Sequence, residues 1–488
     1  MKTTAAARSP GRMINADNSS WLSGMCATAV KSLALIAISI ASAGICSAQS
    51  DGNRLAVEEI TSPDGHKFWY YSLPDADRTA LAVTWVQELP VNSVHPMVAR
   101  LGIDLMLNGG AGGRGAADIV ADYQDLDSRS GLSVEPRAIS GFIFAPNQHL
   151  SKAREIAQAV ITTPAMQQAW FDREHQNLIE HARDDASNSW GIVSNVAREL
   201  VIGDHPYNKF WSIKPLDKFE QVTLEDVVQW YESSFSKKTA IVAVAGSAAS
   251  EVVAKELDLL LADLPEHEAT EPVEFAPPDV PAKTVLFHNP DAPKSVVLLL
   301  GNLPPEGLAI SQPLQLGIGV LGVGKQSRLF KALRSGLGAS YGFSAGVIGY
   351  TRDYRMLHMS GEIETARLEE ALKEIEDAYQ EFHKSGVGPI EFPVAQSISR
   401  RKTSKLLQDP VNMAFSVTEA MRNGFGRDYV QKILESIDDM ERSAVNEIIK
   451  TSMPAFDQML KVIVTPDKDA IEGACVISSI EQARECLK

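Results

Sequence analysis

Arg334 and Tyr341 are the residues of this 488-residue chain whose types and spacing could grip a carbonyl group. They lie seven residues apart in the stretch SRLFKALRSGLGASYGF, residues 327–343. A guanidinium is a fixed cation with a fork of donors, and a phenol is a further donor, so the two could hold a peptide carbonyl or a developing oxyanion. The alternative interpretation is a basic residue at a helix C-terminus and a half-buried strand tyrosine.

The local pattern predicts the elements that position these side chains. Apolar residues recur at helical spacing through SRLFKALR and predict an amphipathic helix whose last turn contains Arg334. Gly336 and Gly338 predict the end of that helix, because glycine readily adopts the left-handed conformation required there. Tyr341 is then expected at the start of a strand.

Length and composition favour a soluble globular protein of two or three domains. Hydrophobic residues make up 44% of the chain and charged residues 22%, which is typical of a folded protein. The formal net charge of −16 argues against binding to nucleic acid.

The N-terminus predicts an export signal over residues 1–48. Lys31 precedes an apolar run at residues 33–40, and small residues follow, with candidate cleavage sites after Ala43 and Ala48. The run is too short to span a bilayer. Cleavage would leave a chain without a stable membrane span, and an uncleaved anchor is the alternative.

Two of the four cysteines lie outside the predicted signal, Cys475 and Cys486. In an oxidising compartment they could close a short disulfide loop, and two free surface thiols are the alternative.

The order of predicted elements repeats along the chain. A strand, turn and strand within residues 67–86 have counterparts within residues 284–300, and helices follow both. Residues 265–281 are rich in proline and predict a semi-rigid linker. We therefore predict an α+β fold of two duplicated sandwich domains, residues 49–264 and 282–488, each a mainly antiparallel sheet packed with helices, which together enclose a cleft.

Four segments carry a resemblance to a known family. They are the SRLFKALR to GASY block of residues 327–341, the HPY segment of residues 205–207, the VTLEDVVQWY segment of residues 222–231, and the buried strand ending at Gly246. In this order on a duplicated chain they resemble the insulinase and pitrilysin family of zinc metallopeptidases, the inverted zincins. The resemblance implies the sandwich domains of that family.

In that family, an H-x-x-E-H helix and a later glutamate bind zinc and activate water. The matching positions here are Arg100, Ile103 and Asp104, with Glu180 at the place of the third ligand, and the chain contains no H-x-x-E-H. Isoleucine cannot accept a proton from water, and two carboxylates fall short of three zinc ligands. The resemblance thus implies no zinc and no hydrolysis by this chain alone, and we expect Arg100 to pair with Asp104, Glu180 or both.

The resemblance implies a role for the residues that remain. The chain is similar to the non-catalytic subunit of a two-chain bacterial peptidase, in which Arg334 and Tyr341 would bind a peptide substrate. The zinc would belong to a homologous H-x-x-E-H partner in a heterodimer or heterotetramer, and the export signal favours the periplasm. The alternative is a scaffold or peptide-binding protein with the same fold and no role in proteolysis, which has no chemical need for this pair.

Three other patterns have structural interpretations that we prefer. Residues 319–325 nearly spell a phosphate-binding loop, but Gln326 replaces the serine or threonine that would meet magnesium. The glycine-rich residues 108–115 could cradle an anion or form a flexible loop. His175 and His181 lie near Glu180 and could be ligands, but we expect solvent-facing helix residues.

Overall fold

The computed structural model describes residues 57–87, 95–212, 214, 216–268, 279–340 and 342–488. The chain divides into two units, residues 1–49 and 50–488, and every described residue belongs to the second. The predicted signal peptide, the middle of the predicted linker and Tyr341 lie outside the described residues. In the part that is described, no helix combines the length and apolarity needed to cross a membrane.

The first half of the chain forms a six-stranded mixed sheet with the order β1-β2-β6-β3-β5-β4. Its strands are β1 Val57–Thr61, β2 Lys67–Ser72, β3 Arg78–Val86, β4 Arg129–Glu135, β5 Ala138–Pro146 and β6 Ala240–Gly246. Its helices are α1 Val98–Asn108, α2 Ala116–Asp125, α3 Leu150–Thr162, α4 Gln168–Ser187, α5 Ser189–Val201, α6 Pro206–Phe210, α7 Leu216–Phe219, α8 Leu224–Ser234 and α9 Ser250–Leu261.

The second half forms another six-stranded mixed sheet, with the order β12-β7-β11-β8-β10-β9. Its strands are β7 Thr284–His288, β8 Ser295–Leu303, β9 Phe343–Gly349, β10 Arg355–Ile363, β11 Leu460–Thr465 and β12 Cys475–Ile477. Its helices are α10 Leu308–Gly322, α11 Arg328–Phe330, α12 Leu368–Ser385, α13 Glu391–Gln408, α14 Pro410–Arg422, α15 Tyr429–Asp438 and α16 Arg442–Ser452.

Five strands of each sheet occupy equivalent places. Among these five strands, three neighbouring pairs are antiparallel in each sheet and the fourth pair is parallel, β2 with β6 in the first sheet and β7 with β11 in the second. The sheets differ at the outer strand beside that pair, because β1 is antiparallel to β2 whereas β12 is parallel to β7. The predicted α+β fold of two duplicated sheets packed with helices is confirmed.

The two halves exchange helices. Helix α14 of the second half packs on β3 and β6 of the first sheet, while α5 of the first half packs on β8 and β11 of the second. Small side chains make the first contact possible: Ala80, Ala82, Ala243 and Ala245 on the sheet share a core with Met413, Ala414 and Val417 of the helix. Each sheet is thus covered on one face by the other half, a feature that the sequence did not predict.

The stretch that follows Ser327 differs from the predicted α-helix. Only Arg328–Phe330 is α-helical, and Lys331–Leu337 is wound as a π-helix. Gly338 then takes a left-handed φ of 69°, and its backbone N–H donates to the carbonyl of Leu333. A π-helical segment of this kind often occurs at a functional position.

Candidate functional site

The positions of the missing zinc motif lie on α1. Most apolar residues of this helix, including Leu101 and Leu105, are buried and fix its orientation, while Leu107 near its end is 38% exposed. Gly102 allows α8 to approach closely, because a Cβ at this position would lie 2.1 Å from the Trp230 ring. Arg100 and Asp104 remain on the accessible side, with side chains 30% and 31% exposed.

Arg100 and Asp104 form an ion pair one helical turn apart. The Nε atom of Arg100 lies 3.9 Å from Oδ2 of Asp104. A pair at this distance and exposure stabilises a helix by only about 0.5 kcal/mol. The pair matters for metal binding, because Arg100 places a fixed cation at the position that the resemblance to the inverted zincins assigns to a zinc-binding histidine.

Glu180 does not join this pair. It is an exposed residue of α4, and its Oε1 accepts a hydrogen bond of 3.0 Å from Nε2 of Gln176. No ion pair links Arg100 with Glu180, although both residues are described. Of the two pairings that we expected for Arg100, the structure shows the one with Asp104.

The residues at this site do not fit a zinc ion. Ile103 is only 4% exposed and cannot act as a base, and Arg100 places a positive charge beside the Asp104 carboxylate. Throughout the described ranges, no group of three histidine, cysteine, aspartate or glutamate side chains could hold a metal ion. Zinc chemistry is therefore not assigned to this chain.

The histidines near the site have structural roles. His95 is buried, and its Nδ1 accepts a hydrogen bond of 3.1 Å from the N–H of Met97 at the start of α1. His205 accepts an equivalent bond from Tyr207 at the start of α6. Burial lowers the pKa of His95 below its ordinary value, so its ring remains neutral at pH 7. His205 is thus the N-cap of α6, whereas His95 lies two residues before Met97, the N-cap of α1.

His175 differs from our expectation of a solvent-facing residue. It is half-buried, it stacks on Phe171, and its Nε2 lies 2.9 Å from the carbonyl oxygen of Phe219. His181 is exposed, as expected. Neither histidine belongs to a metal-binding group in the part of the chain that the structure describes.

The arginine that opens the SRLF block has a structural role as well. Arg328 donates from Nε to Oε1 of Glu391 at 3.1 Å and from Nη2 to Oε2 at 2.7 Å. Its Nη2 also donates to the carbonyl of Gly386 at 2.8 Å, and its guanidinium lies 5.2 Å from the centroid of the Phe382 ring. The bond from Arg328 lowers the pKa of Glu391 below its ordinary value. These hydrogen bonds connect the SRLF block to the start of α13 and to the loop that precedes it.

Arg334 is exposed and lies in the last turn of the π-helical segment. We expected it in the last turn of an α-helix. Tyr341 lies outside the described residues, so the structure gives no geometry for the pair. The chain on both sides of it is held: Ser340 Oγ donates to the carbonyl of Glu362 at 2.6 Å, and the N–H of Gly342 donates to Ser340 Oγ at 3.2 Å. The role of the two residues in binding stays a prediction.

Two of the remaining sequence patterns have ordinary structures. Gly112 in the glycine-rich loop donates its N–H to the carbonyl of Thr163 at 3.0 Å, and Ala165 donates to Gly110 at 2.8 Å. These bonds join the loop to the segment that follows α3. Residues 319–322 of the phosphate-loop-like stretch are the end of α10 and do not follow a strand, as a nucleotide-binding loop would.

The C-terminal segment joins the two halves in a way that the sequence only partly indicated. A disulfide links Cys475 and Cys486, whose Cα atoms are 5.7 Å apart. Between them, Arg484 pairs with Glu199 of α5 at 3.0 Å and also with Asp204. Two cysteines in a chain with a predicted export signal suggested the disulfide, but nothing in the sequence indicated that the loop contacts the first half.

A family of known proteins matches the middle of this sequence, from the end of the first half into the second. The family described as "Peptidase M16 inactive domain" matches residues 221–398. The predicted resemblance to the insulinase and pitrilysin peptidases is confirmed. No curated protein has a significant match to the sequence.

Solved structures share the fold over most of the chain. A peptidase M16 inactive domain from Pseudomonas fluorescens is 16% identical, with 85% of this chain and 99% of that chain covered and a TM-score of 0.75. A protease from Helicobacter pylori is 18% identical, with 84% and 99% covered and a TM-score of 0.71. The first half of the periplasmic protease PqqL from Escherichia coli is 14% identical, with 88% and 96% covered and a TM-score of 0.63. Because the identities are low, these similarities establish the fold alone.

Proposed function

We propose that this chain, whose residues 221–398 match the peptidase M16 inactive domain, is the non-catalytic, substrate-binding subunit of an exported zinc metallopeptidase. The observation that carries the proposal is the ion pair between Arg100 and Asp104, which fills two ligand positions in an otherwise complete fold. A partner chain with H-x-x-E-H supplies the zinc and the general base, and this chain helps to bind the peptide.

The proposed binding residues are Arg334 and Tyr341. Arg334 is exposed at the end of the π-helical segment, so its guanidinium is accessible to a substrate. Arg328 of the same block pairs with Glu391, and we assign it a structural role. In the assembled enzyme, Arg334 and Tyr341 would donate hydrogen bonds to the carbonyl of the bond that the partner's zinc site cleaves.

Three observations support the periplasm as the location. The sequence begins with the pattern of an export signal, and the chain is similar over 88% of its length to half of a protease described as periplasmic. The disulfide between Cys475 and Cys486 fits an oxidising compartment.

Co-expression with an exported H-x-x-E-H homologue, encoded beside this chain, tests the proposal. We expect the two chains to co-purify and to cleave an unstructured peptide in a chelator-sensitive reaction, and this chain alone to be inactive. Arg334→Ala and Tyr341→Phe should each lower kcat/KM at least tenfold, because each removes a donor to the developing negative charge. Arg114→Ala is the matched control, since Arg114 forms an exposed ion pair with Asp122.

The outcomes separate the proposal from a scaffold role. A stable complex whose turnover is unchanged by both variants would remove the binding role of Arg334 and Tyr341 and favour a scaffold. Chelator-sensitive cleavage by this chain alone, from protein purified without any partner, would contradict the non-catalytic assignment.

A further inference from the structure

Helix α13 exposes an aliphatic row to solvent. Ile390, Val394 and Ile398 follow one another at intervals of one turn and are 83%, 57% and 52% exposed. The opposite side of the helix contacts the second-half core through Phe392 and Ala395. The fold therefore already uses one face of α13, and the aliphatic row lies on the other.

A group of cations continues this row along the last turns of the helix. Arg401, Lys402 and Lys405 are exposed, and among the described residues none of the three forms an ion pair, whereas the neighbouring Arg400 pairs with Asp438. The chain as a whole carries a net charge of −16, so this group opposes the overall sign. We call the exposed row and the cations together the α13 stripe, residues 390, 394, 398, 401, 402 and 405.

Scattered exposed aliphatic residues are normal on a protein surface, but these are not scattered. Ten large hydrophobic side chains are exposed in the described residues, and four of them belong to α13 or directly precede it: Ile390, Val394, Ile398 and Leu406. Contiguous exposed apolar surface with charged residues beside it is typical of an interaction site.

The duplication shows that the fold does not require these residues. Helices α5 and α14 both have 13 residues and follow a capping side chain, Asn188 or Asp409. When these caps are aligned, Glu180 of α4 takes the position of Arg401, and Asp184 takes the position of Lys405. Asn177 likewise takes the position of Ile398. The first half folds with polar and acidic residues at these places, so aliphatic and basic residues in the second half call for a functional reason.

We propose that the α13 stripe binds an acidic segment of another polypeptide. Aliphatic side chains of that segment would pack on Ile390, Val394 and Ile398, and its carboxylates would lie beside the cations of the last turns. The positive charge of these side chains favours an acidic partner, because cations without carboxylate partners attract anionic groups and repel basic ones. This inference does not depend on the proposed role in proteolysis.

Fluorescence anisotropy with the full chain tests the inference. The probe is a labelled 18-residue peptide with leucine at every third or fourth position and glutamate elsewhere, compared with the same peptide carrying lysine in place of glutamate. We expect the acidic peptide to bind at least tenfold more tightly than the basic one. We also expect its affinity to fall severalfold between 50 and 300 mM salt, since screening weakens contacts between exposed charges.

Charge-reversal variants locate the site. Arg401→Glu, Lys402→Glu and Lys405→Glu combined should weaken binding of the acidic peptide at least tenfold, and Val394→Ser with Ile398→Ser should weaken it at least fivefold. Urea unfolding of each variant establishes that it is folded.

The matched control reverses three exposed lysines outside α13, Lys152, Lys255 and Lys468, none of which forms an ion pair in the described part of the chain. This variant has the same net charge as the α13 charge reversal, so it should bind the acidic peptide within twofold of the unchanged protein.

Four results would overturn the inference. The first is an equal loss of binding in the control variant, which would show a nonspecific effect of net charge. The second is equal affinity for the acidic and basic peptides. The third is that the unchanged protein does not bind the acidic peptide but associates with itself, and that the charge-reversal variant loses this self-association. This result would assign the stripe to a second copy of this chain. The fourth is sedimentation with anionic vesicles without peptide binding, which would assign it to a membrane surface.

Discussion

Replacing Arg328 should destabilise the protein, whereas replacing Arg334 in the same block should not. Arg328→Ala removes a fork of two hydrogen bonds of 3.1 and 2.7 Å to Glu391 and a third of 2.8 Å to the carbonyl of Gly386. It also removes the guanidinium from its place 5.2 Å from the Phe382 ring centroid. Arg334 is exposed, so its replacement should change the free energy of unfolding by less than about 0.5 kcal/mol.

The size of the effect follows from these contacts. The side chains of Arg328 and Glu391 are 21% and 33% exposed, so we take the lower end of the range for charged hydrogen bonds, about 1.5 kcal/mol for the fork. The carbonyl left without its donor adds about 1 kcal/mol, and the ring contact adds about 0.5 kcal/mol. We expect Arg328→Ala to lower the free energy of unfolding by about 3 kcal/mol in all. Arg328→Lys should recover about half, because lysine keeps the charge but not the planar fork.

The pH dependence identifies the cause. The pKa of Glu391 is lowered in the folded protein, so its pairing with Arg328 contributes stability above the ordinary glutamate pKa and loses that contribution as pH falls through the lowered value. The difference between the unchanged protein and Arg328→Ala should therefore be full at pH 7 and should shrink below about pH 4.5.

Urea unfolding followed by circular dichroism measures these differences. Arg400→Ala is the matched control, since Arg400 pairs with Asp438 at exposures of 55% and 40% and should cost less than about 1 kcal/mol. A double-mutant cycle with Glu391→Gln isolates the coupling between the two side chains. A loss below about 1 kcal/mol in Arg328→Ala, or a coupling near zero, would refute the structural role assigned to this arginine.

Three further predictions test other parts of the molecule. Burial lowers the pKa of His358 to about 4, so the folded protein resists protonation of this ring and should lose roughly 2 kcal/mol of stability between pH 7 and pH 5. Urea unfolding at the two pH values measures this loss, and His358→Leu should lack it. Replacing Cys475 and Cys486 with serine should lower the free energy of unfolding by about 2–3 kcal/mol and should speed hydrogen exchange at the C-terminus. Unchanged exchange there would contradict the predicted contribution of the disulfide. Combining Arg100→His with Asp104→His restores two of the family's three zinc ligands and leaves Glu180 at the position of the third, so this variant should retain more zinc in elemental analysis than the unchanged protein, and zinc in the unchanged protein would overturn our assignment.

The sequence predicted the elements whose patterns are long and regular. Strand β8 was recognisable because it is apolar along nearly its whole length, as expected for a strand covered on both faces. Helix α12 was recognisable from its apolar stripe, with Leu368, Ile375 and Phe382 all buried. Strand β12 has three residues and β4 contains Gly131, so neither shows a pattern long enough to identify a strand.

The sequence indicated which residues stand at the positions of the family's zinc motif, but not which contacts those residues make. Arg100 and Asp104 follow from alignment to a motif, but which carboxylate pairs with Arg100 depends on the rotation of α4 relative to α1. Neighbours one turn apart on one helix meet by the geometry of that helix, as this pair does. A contact between two helices depends on tertiary packing, and here it leaves Glu180 with Gln176 of its own helix.

The exchange of helices gives the duplication its structural meaning. A single residue separates helix α4 from α5. Because α5 packs on the second sheet, the position of α4 depends on the second half. Helix α13 likewise leads directly into α14, which packs on the first sheet. Without the other half, the apolar faces of α5 and α14 and one face of each sheet would be exposed to water. The proline-rich stretch therefore separates two copies in the sequence, but the unit that positions both Arg100 and Arg334 is residues 50–488 as a whole.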